Sequence, residues 1–315
     1  MTDEEFDREL LHLRLSAEER WHKWQGAPPP EVFHYTKALA ASKIIDSGKL
    51  WAVISSQLID RTELVHAADT LRQLLFDRLG SPEGGDSLRH LYPPSVWRIG
   101  LEEGSGIDIF VSSLTQLEND LTQWDRYADR FYGVALGFDS GVLAQMDTSD
   151  EAAFPVGYVR VAYDRSDQES FFEKLIDLWL EQVPSNIAEV LDKVADRNMY
   201  IASRLGNLAV CAAAFFPRMK RQEFQAESEW RLIHGHLVKA PDCAVIHADK
   251  KTHVELDLGC VDGRMPLTSV WLGPGIANRE SERRVRQLLD GRGYGAVPIR
   301  VSKILLRIEN RIVEF

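Results

Sequence analysis

The sequence predicts an α+β fold, and three observations carry that prediction. Runs rich in β-branched and aromatic residues, such as YGVALGF at 132–138, outnumber the helical segments in most of the chain. They do not alternate regularly with helices, as a doubly wound parallel sheet requires. A single block, about residues 168–222, switches to helical periodicity between strands.

Taken in order, residues 3–24 read as a charged helix that stops at Gly26-Ala27-Pro28-Pro29-Pro30, where proline removes donors and forbids continuation. Residues 1–30 are therefore expected as an N-terminal helix and Pro-rich linker, and 31–315 as one domain carrying the helical insertion. A strand at 32–35 precedes a helix at 39–45 with Gly48 as its C-cap, and a second strand covers 50–54. Helix resumes from 60 to about 78. Glycines and prolines make 81–106 a long connection. Strands at 107–112, 132–138 and 156–163 bracket a helix at 119–128. Helices follow at 168–184 and 187–216, then strands at 229–236, 243–247, 252–258 and 267–272, a helix at 278–290 and a strand at 296–301.

The net charge of −11 disfavours a general nucleic-acid scaffold, because such a surface repels phosphates unless basic residues are segregated. The one short basic run, Arg218 to Arg221, reads as a solvated helix end or, alternatively, a small basic patch. Cys211, Cys243 and Cys260 stand in no CxxC, so neither a zinc site nor a disulfide framework is expected. The first twenty residues are charged throughout, unlike a secretory signal, and no apolar stretch is long enough to span a bilayer. A cytoplasmic location without membrane contact is the resulting expectation.

GxxxxGK[ST], HExxH and GxSxG are all absent. Three other pieces stand out: His34-Tyr35-Thr36 at a strand end, Ser112 to Thr115 leading into a helix with Trp124 and Tyr127, and Glu227-Ser228-Glu229-Trp230-Arg231 opening a strand. Each has an ordinary structural explanation. A strand-end histidine is commonly a hydrogen-bonded support, and Trp124 with Tyr127 on one helix face suits core packing. Glu227, Glu229 and Arg231 would share one face of a strand, where a surface salt bridge accounts for them.

Jointly these pieces resemble an uncharacterised bacterial family of unknown function that is grouped with ADP-ribosyltransferase-like folds. The resemblance runs from about Phe33 to Arg307. It rests on HYTxxxAxxxIxxSGxLWA at 34–52, LIDRTE at 58–63, SLTQLENDLTQWDRYADRFYGVALGFD at 113–139, ExEWRL at 227–232 and VWLGP at 270–274 with Ser302-Lys303-Ile304. It implies a split, mostly antiparallel sheet with NAD as substrate in its cleft. On that resemblance His34 would bond a ribose of NAD and the Tyr35 backbone the nicotinamide amide, with Thr36 beside them. Tyr35 stands where the polymerase-type pattern has glycine. Tyr127 would stack on the nicotinamide, Ser113 or Thr115 would supply a hydroxyl, Glu229 would be the catalytic glutamate and Glu227 the second acid.

Such residues suit that reaction. Breaking the nicotinamide–ribose bond passes through an oxocarbenium-like transition state, which a carboxylate stabilises most in a dry cleft. The expected activity is mono-ADP-ribosyl transfer to a macromolecular acceptor, protein rather than nucleic acid, as toxins, effectors or phage-defence factors of this fold perform. An NAD glycohydrolase or a catalytically inactive binding module are the alternatives. Should a nucleic acid be the target, Arg126, Arg130, Arg231 and the 218–221 run would be the cationic candidates. Glu229→Gln is expected to abolish NAD cleavage while leaving folding intact.

Overall fold

A computed structural model describes residues 3–58, 63–79, 107–145, 153–154, 157–183, 192–193, 197–237, 246–248, 251–258 and 263–304. The expected connection at 81–106, residues 187–191 and 194–196 at the start of the second insertion helix, Cys243 and Cys260 lie outside these residues.

Eleven strands among the described residues form one sheet. They are β1 (Glu31–Thr36), β2 (Lys49–Ile54), β3 (Ile107–Thr115), β4 (Val134–Asp139), β5 (Ala153–Phe154), β6 (Tyr158–Arg160), β7 (Glu229–Leu237), β8 (Ile246–Ala248), β9 (Lys251–Asp257), β10 (Leu267–Leu272) and β11 (Ile299–Val301). Pairings among them are antiparallel except β10 with β11. The mixed α+β class with a mostly antiparallel sheet is therefore as the sequence predicts.

The period-two pattern of β3 explains how the sheet is clothed. Phe110 and Leu114 enter one core with Val32, Leu50, Leu136, Trp230 and Leu256, covered by α2 (Ala38–Ser47) and by Val285 and Leu289 of a helix at Arg279–Gly291. Ile109 and Val111 face the other way, into a helical layer. That layer contains α1 (Asp3–Gln25), α3 (Glu63–Leu79) and the helices Arg165–Glu181 and Arg197–Ala213. Leu13, Ala17 and Trp21 of α1 pack in the same core as Phe172, Trp179 and Leu208. Burying a side chain the size of Leu13 contributes roughly 2 kcal/mol, so the first helix is tied to the body by its own apolar stripe.

Several boundaries differ from expectation for identifiable reasons. The helix expected from 168 begins at Arg165, because the Asp164 carboxylate caps the amides of Ser166 and Asp167. The strands expected at 156–163 and 296–301 contract to β6 and β11. Glu227 is not in a strand. It ends a 3-10 turn, Gln222–Glu227, and Ser228 then turns the chain at φ 44 before β7 begins. Gly48 caps α2 in the left-handed region at φ 71, with its amide bonded to Ile44, as its position predicts.

The sheet opens at one place. One edge of β3 is paired along its length with β7. The other edge is shared, with β2 at Phe110 and Val111 and with β1 at Thr115 alone. Between those two contacts β1 and β2 draw apart, leaving the Ser112–Leu114 edge of β3 without a strand partner among the described residues.

Candidate functional site

A cavity of about 190 Å³ lies at this opening. Phe33, His34 and Tyr35 of β1 form one wall, Trp51 and Val53 of β2 the other, and residues 111–115 of β3 the floor. Tyr127 comes from α4 (Leu121–Tyr127), while Glu229 and Arg231 reach in from β7 and Lys220 and Glu227 from the segment before it.

The His34 ring takes the place of a missing ladder partner. Its Nδ1 donates to the Ser113 carbonyl at 3.0 Å, which fixes the tautomer and makes Nε2 the acceptor of the neutral ring. Tyr35 points elsewhere. Its hydroxyl donates to the Leu117 carbonyl and accepts from the Asp120 amide, and its ring meets Trp124 edge-on at 4.7 Å. This anchors the approach to α4, whose Asp120 cap and Trp124–Asn119 bond place Tyr127 over the opening. Trp51 is braced by a stacked His253, with ring centres 3.9 Å apart.

The two acids are buried and matched by cations. Lys220 Nζ donates to Glu227 at 2.6 Å and to Glu229 at 3.2 Å. Arg231 grips Glu229 through Nε and Nη2, and Arg126 reaches Glu227 from the surface at 2.9 Å. The Tyr127 hydroxyl donates to the same Glu227 oxygen at 2.9 Å. Burial alone would push the Glu229 carboxyl upward. The charges of Arg231 and Lys220, with hydrogen bonds from Arg231 and Ser113, outweigh it and hold the group well below the usual carboxylate range. Glu229 is thus an anion at neutral pH. Burial, then the Glu227 charge, push the Tyr127 phenol upward, keeping it a protonated donor.

The turn that joins the acids has its own supports. Thr115 Oγ1 donates to the Glu227 carbonyl at 2.6 Å, and the Glu229 amide donates to the Tyr163 hydroxyl at 2.9 Å. These bonds offset the left-handed conformation of Ser228, which costs a non-glycine residue about 1 kcal/mol.

His34, Tyr35, Ser113, Tyr127, Glu227 and Glu229 all line the cavity, whereas Thr36 at the end of β1 does not. The basic run at 218–221 needs correction. Arg218 is 0% and Lys220 7% exposed, so these two residues belong neither to a solvated helix end nor to a basic patch. Arg231, at 1% exposure, cannot meet a nucleic acid at the cavity mouth. Lys220 is a site residue that the sequence offered only as part of a basic run for a nucleic acid, and its place between the two acids was not foreseen. Its one signal was a position seven and nine residues before the two acids.

Among the described residues no group of His, Cys, Asp and Glu could hold a metal ion, and no helix is long and apolar enough to cross a membrane. Fold and site together define an α+β protein with a buried pair of acids, Glu227 and the anion Glu229, at the opening of a mostly antiparallel sheet. Residues 123–232 match a family of proteins of unknown function, DUF2971. The matched stretch contains Tyr127, Lys220, both acids and Arg231, while His34 and Ser113 fall before it. No curated protein and no solved structure matches the chain.

Proposed function

We propose that the chain cleaves the nicotinamide–ribose bond of NAD and passes ADP-ribose to a macromolecular acceptor. The observation that carries this reading is convergence. A histidine within β1 whose tautomer is set, an aromatic ring above the sheet opening and a buried carboxylate line one cavity, though they lie up to 195 residues apart in the chain.

In this reading the bond between the ribose anomeric carbon and the nicotinamide nitrogen breaks, and its electron pair leaves with neutral nicotinamide. Glu229, already charged, faces the positive ribose through its hydroxyl, an interaction worth roughly 3 kcal/mol at the transition state. His34 Nε2 accepts from a ribose hydroxyl, and Tyr127 holds the departing ring in line. The acceptor's oxygen or nitrogen then bonds to the anomeric carbon, and its proton passes to Glu227. Water as acceptor makes the same site an NAD glycohydrolase.

One observation favours another reading. Three cations, Lys220, Arg231 and Arg126, pair with the two acids Glu227 and Glu229, as in an ion cluster kept for structure. A catalytically inactive binding module on the same fold would keep this arrangement. Incubating the purified protein with NAD and measuring free nicotinamide separates them. Release that disappears in Glu229→Gln supports the enzyme, and NAD binding without release supports the module.

A further inference from the structure

The basic run contains a buried residue that does not line the site. Arg218 is wholly buried, and its guanidinium forks onto Glu18 of α1, with Nη1 2.8 Å from Oε2 and Nη2 against Oε1. It also lies 4.1 Å above the Phe215 ring and 5.5 Å from Trp21, one turn beyond Glu18. A bidentate, nearly desolvated pair of this kind fixes orientation as well as position.

Everything next to Arg218 leads to the acids. The Pro217 carbonyl accepts from Arg231 Nη1, the same side chain that grips Glu229. The Arg218 carbonyl accepts from the Ala162 amide, and the Lys220 amide donates to the Ala162 carbonyl. Gln168 Nε2, also wholly buried, donates to the carbonyls of Ala162 and Lys220 at 2.8 Å each. The short segment from Phe216 to Lys220 is therefore held by Ala162 just beyond β6, by Gln168 of the helix Arg165–Glu181, by Arg231 of β7 and, through Arg218, by α1. Lys220 then spans the two carboxylates.

We infer that α1 positions the acid pair: Glu18, by gripping Arg218, fixes the segment whose Lys220 and Pro217 hold Glu227, Glu229 and Arg231 in register. Glu18 and Arg218 are thus positioning residues for the site, although neither lines the cavity. The inference rests on the NAD-cleaving reading for its activity test, but the geometry it concerns does not.

Removing the Glu18 charge leaves a buried Arg218 cation beside Arg14, with His22 3.9 Å from Glu18 and the buried Cys211 thiol as the further titratable groups facing it. The segment then relaxes, and Lys220 loses its place between the acids. The groups facing Glu229 are Lys220, Arg231, Ser113, Tyr163 and Glu227, the last of these bonded in turn to Arg126 and Tyr127. Of these Lys220 and Arg231 supply the charge that keeps Glu229 ionised, so a displaced Lys220 raises the pH at which Glu229 protonates.

The test compares full-length wild type, Glu18→Gln, Lys220→Met and the double variant, with Glu18→Asp as the variant that retains the charge should Glu18→Gln fold poorly. In nicotinamide release, Glu18→Gln is expected to lower kcat by about a hundredfold, the cost of misplacing a catalytic group by about an ångström, with KM little changed. The acid limb of its pH profile should move upward, as that of Lys220→Met also should, and the double variant should be no worse than the worse single one. A fall in kcat with an unmoved acid limb, or effects that multiply in the double variant, would overturn the inference. Carbon-13 NMR titration of the glutamate carboxyls keeps it separable from the function. A Glu229 titration that shifts in Glu18→Gln, or in Glu18→Asp less so, supports the relay even if wild type releases no nicotinamide. An unshifted one sinks it whatever the activity.

Discussion

Arg231 holds Glu229 by both carboxylate oxygens, Nε to Oε1 at 3.0 Å and Nη2 to Oε2 at 2.9 Å, from a position two residues along the same strand. The side chains are 1% and 6% exposed. This fork makes Glu229 part of the frame as well as of the cavity, and it changes what an isosteric substitution should do. From sequence alone Glu229→Gln was expected to leave folding intact. With a buried Arg231 and Lys220 deprived of their anion, the variant should instead lose about 3 kcal/mol of stability. It should still fold, because Glu227 continues to pair with Lys220. Urea unfolding checks the first claim. Nicotinamide release, measured where the variant is folded, checks the loss of NAD cleavage, and turnover near that of wild type would remove Glu229 from the proposed reaction.

The same fork makes stability depend on pH in a defined direction. The folded-state pKa of Glu229 is depressed, so its contribution is fully present above the ordinary carboxylate value of about 4.5 and is lost as the pH falls below it toward the folded value. Unfolding free energies of wild type and Glu229→Gln should accordingly differ most near neutrality and converge as the solution is acidified. A gap that widens on acidification would mean that Glu229 is not the stabilising anion.

Tyr127→Phe isolates the phenol from the ring. The hydroxyl donates to a Glu227 oxygen that Arg126 also reaches, while Lys220 takes the other. Loss of one bond to a charged acceptor should cost about 1.5 kcal/mol. If the ring stacks on nicotinamide as proposed, KM for NAD should stay close to wild type in Tyr127→Phe and rise at least severalfold in Tyr127→Ala. Equal KM values in both variants would argue that Tyr127 serves only to hold Glu227.

How far the sequence foretold this depends on which interactions each feature uses. Local signals carried the α2 cap at Gly48, the strand around Leu136 and the helical block, because capping and periodicity act over a few residues. The meeting of His34, Tyr127 and Glu229 was legible only as a joint pattern of motifs. Lys220 was misread because the segment that carries it is folded inward, with Arg218 on Glu18 200 residues earlier, a contact that no local pattern encodes. The turn after α4 was hidden for a related reason. Asp129, Arg130 and Phe131 all adopt positive φ without a glycine among them. The Phe131 amide bonds to the Trp124 carbonyl, and the Gly275 amide bonds to the Phe131 carbonyl, so distant backbone imposes what propensity resists.

That turn yields the last prediction. Gly273, in the VWLGP motif, donates its amide to the Gly133 carbonyl at 3.0 Å. A Cβ there would lie 2.6 Å from the Phe131 carbonyl, 2.8 Å from that of Gly133 and 3.1 Å from the Trp124 ring. Two of the three neighbours are backbone and cannot swing aside, so Gly273→Ala must push the loop away from the turn that ends α4. The cost should be about 2 kcal/mol, typical of overpacking at a close contact. Because Tyr127 is the last residue of α4, the strain should also raise KM for NAD in the proposed reaction. Gly291→Ala is the matched control. Its added methyl meets nothing within 4 Å at the end of a helix, so it should be neutral or stabilise by about 0.5 kcal/mol. Thermal unfolding of the two variants side by side decides the matter, and equal midpoints would show that the close approach at Gly273 is dispensable.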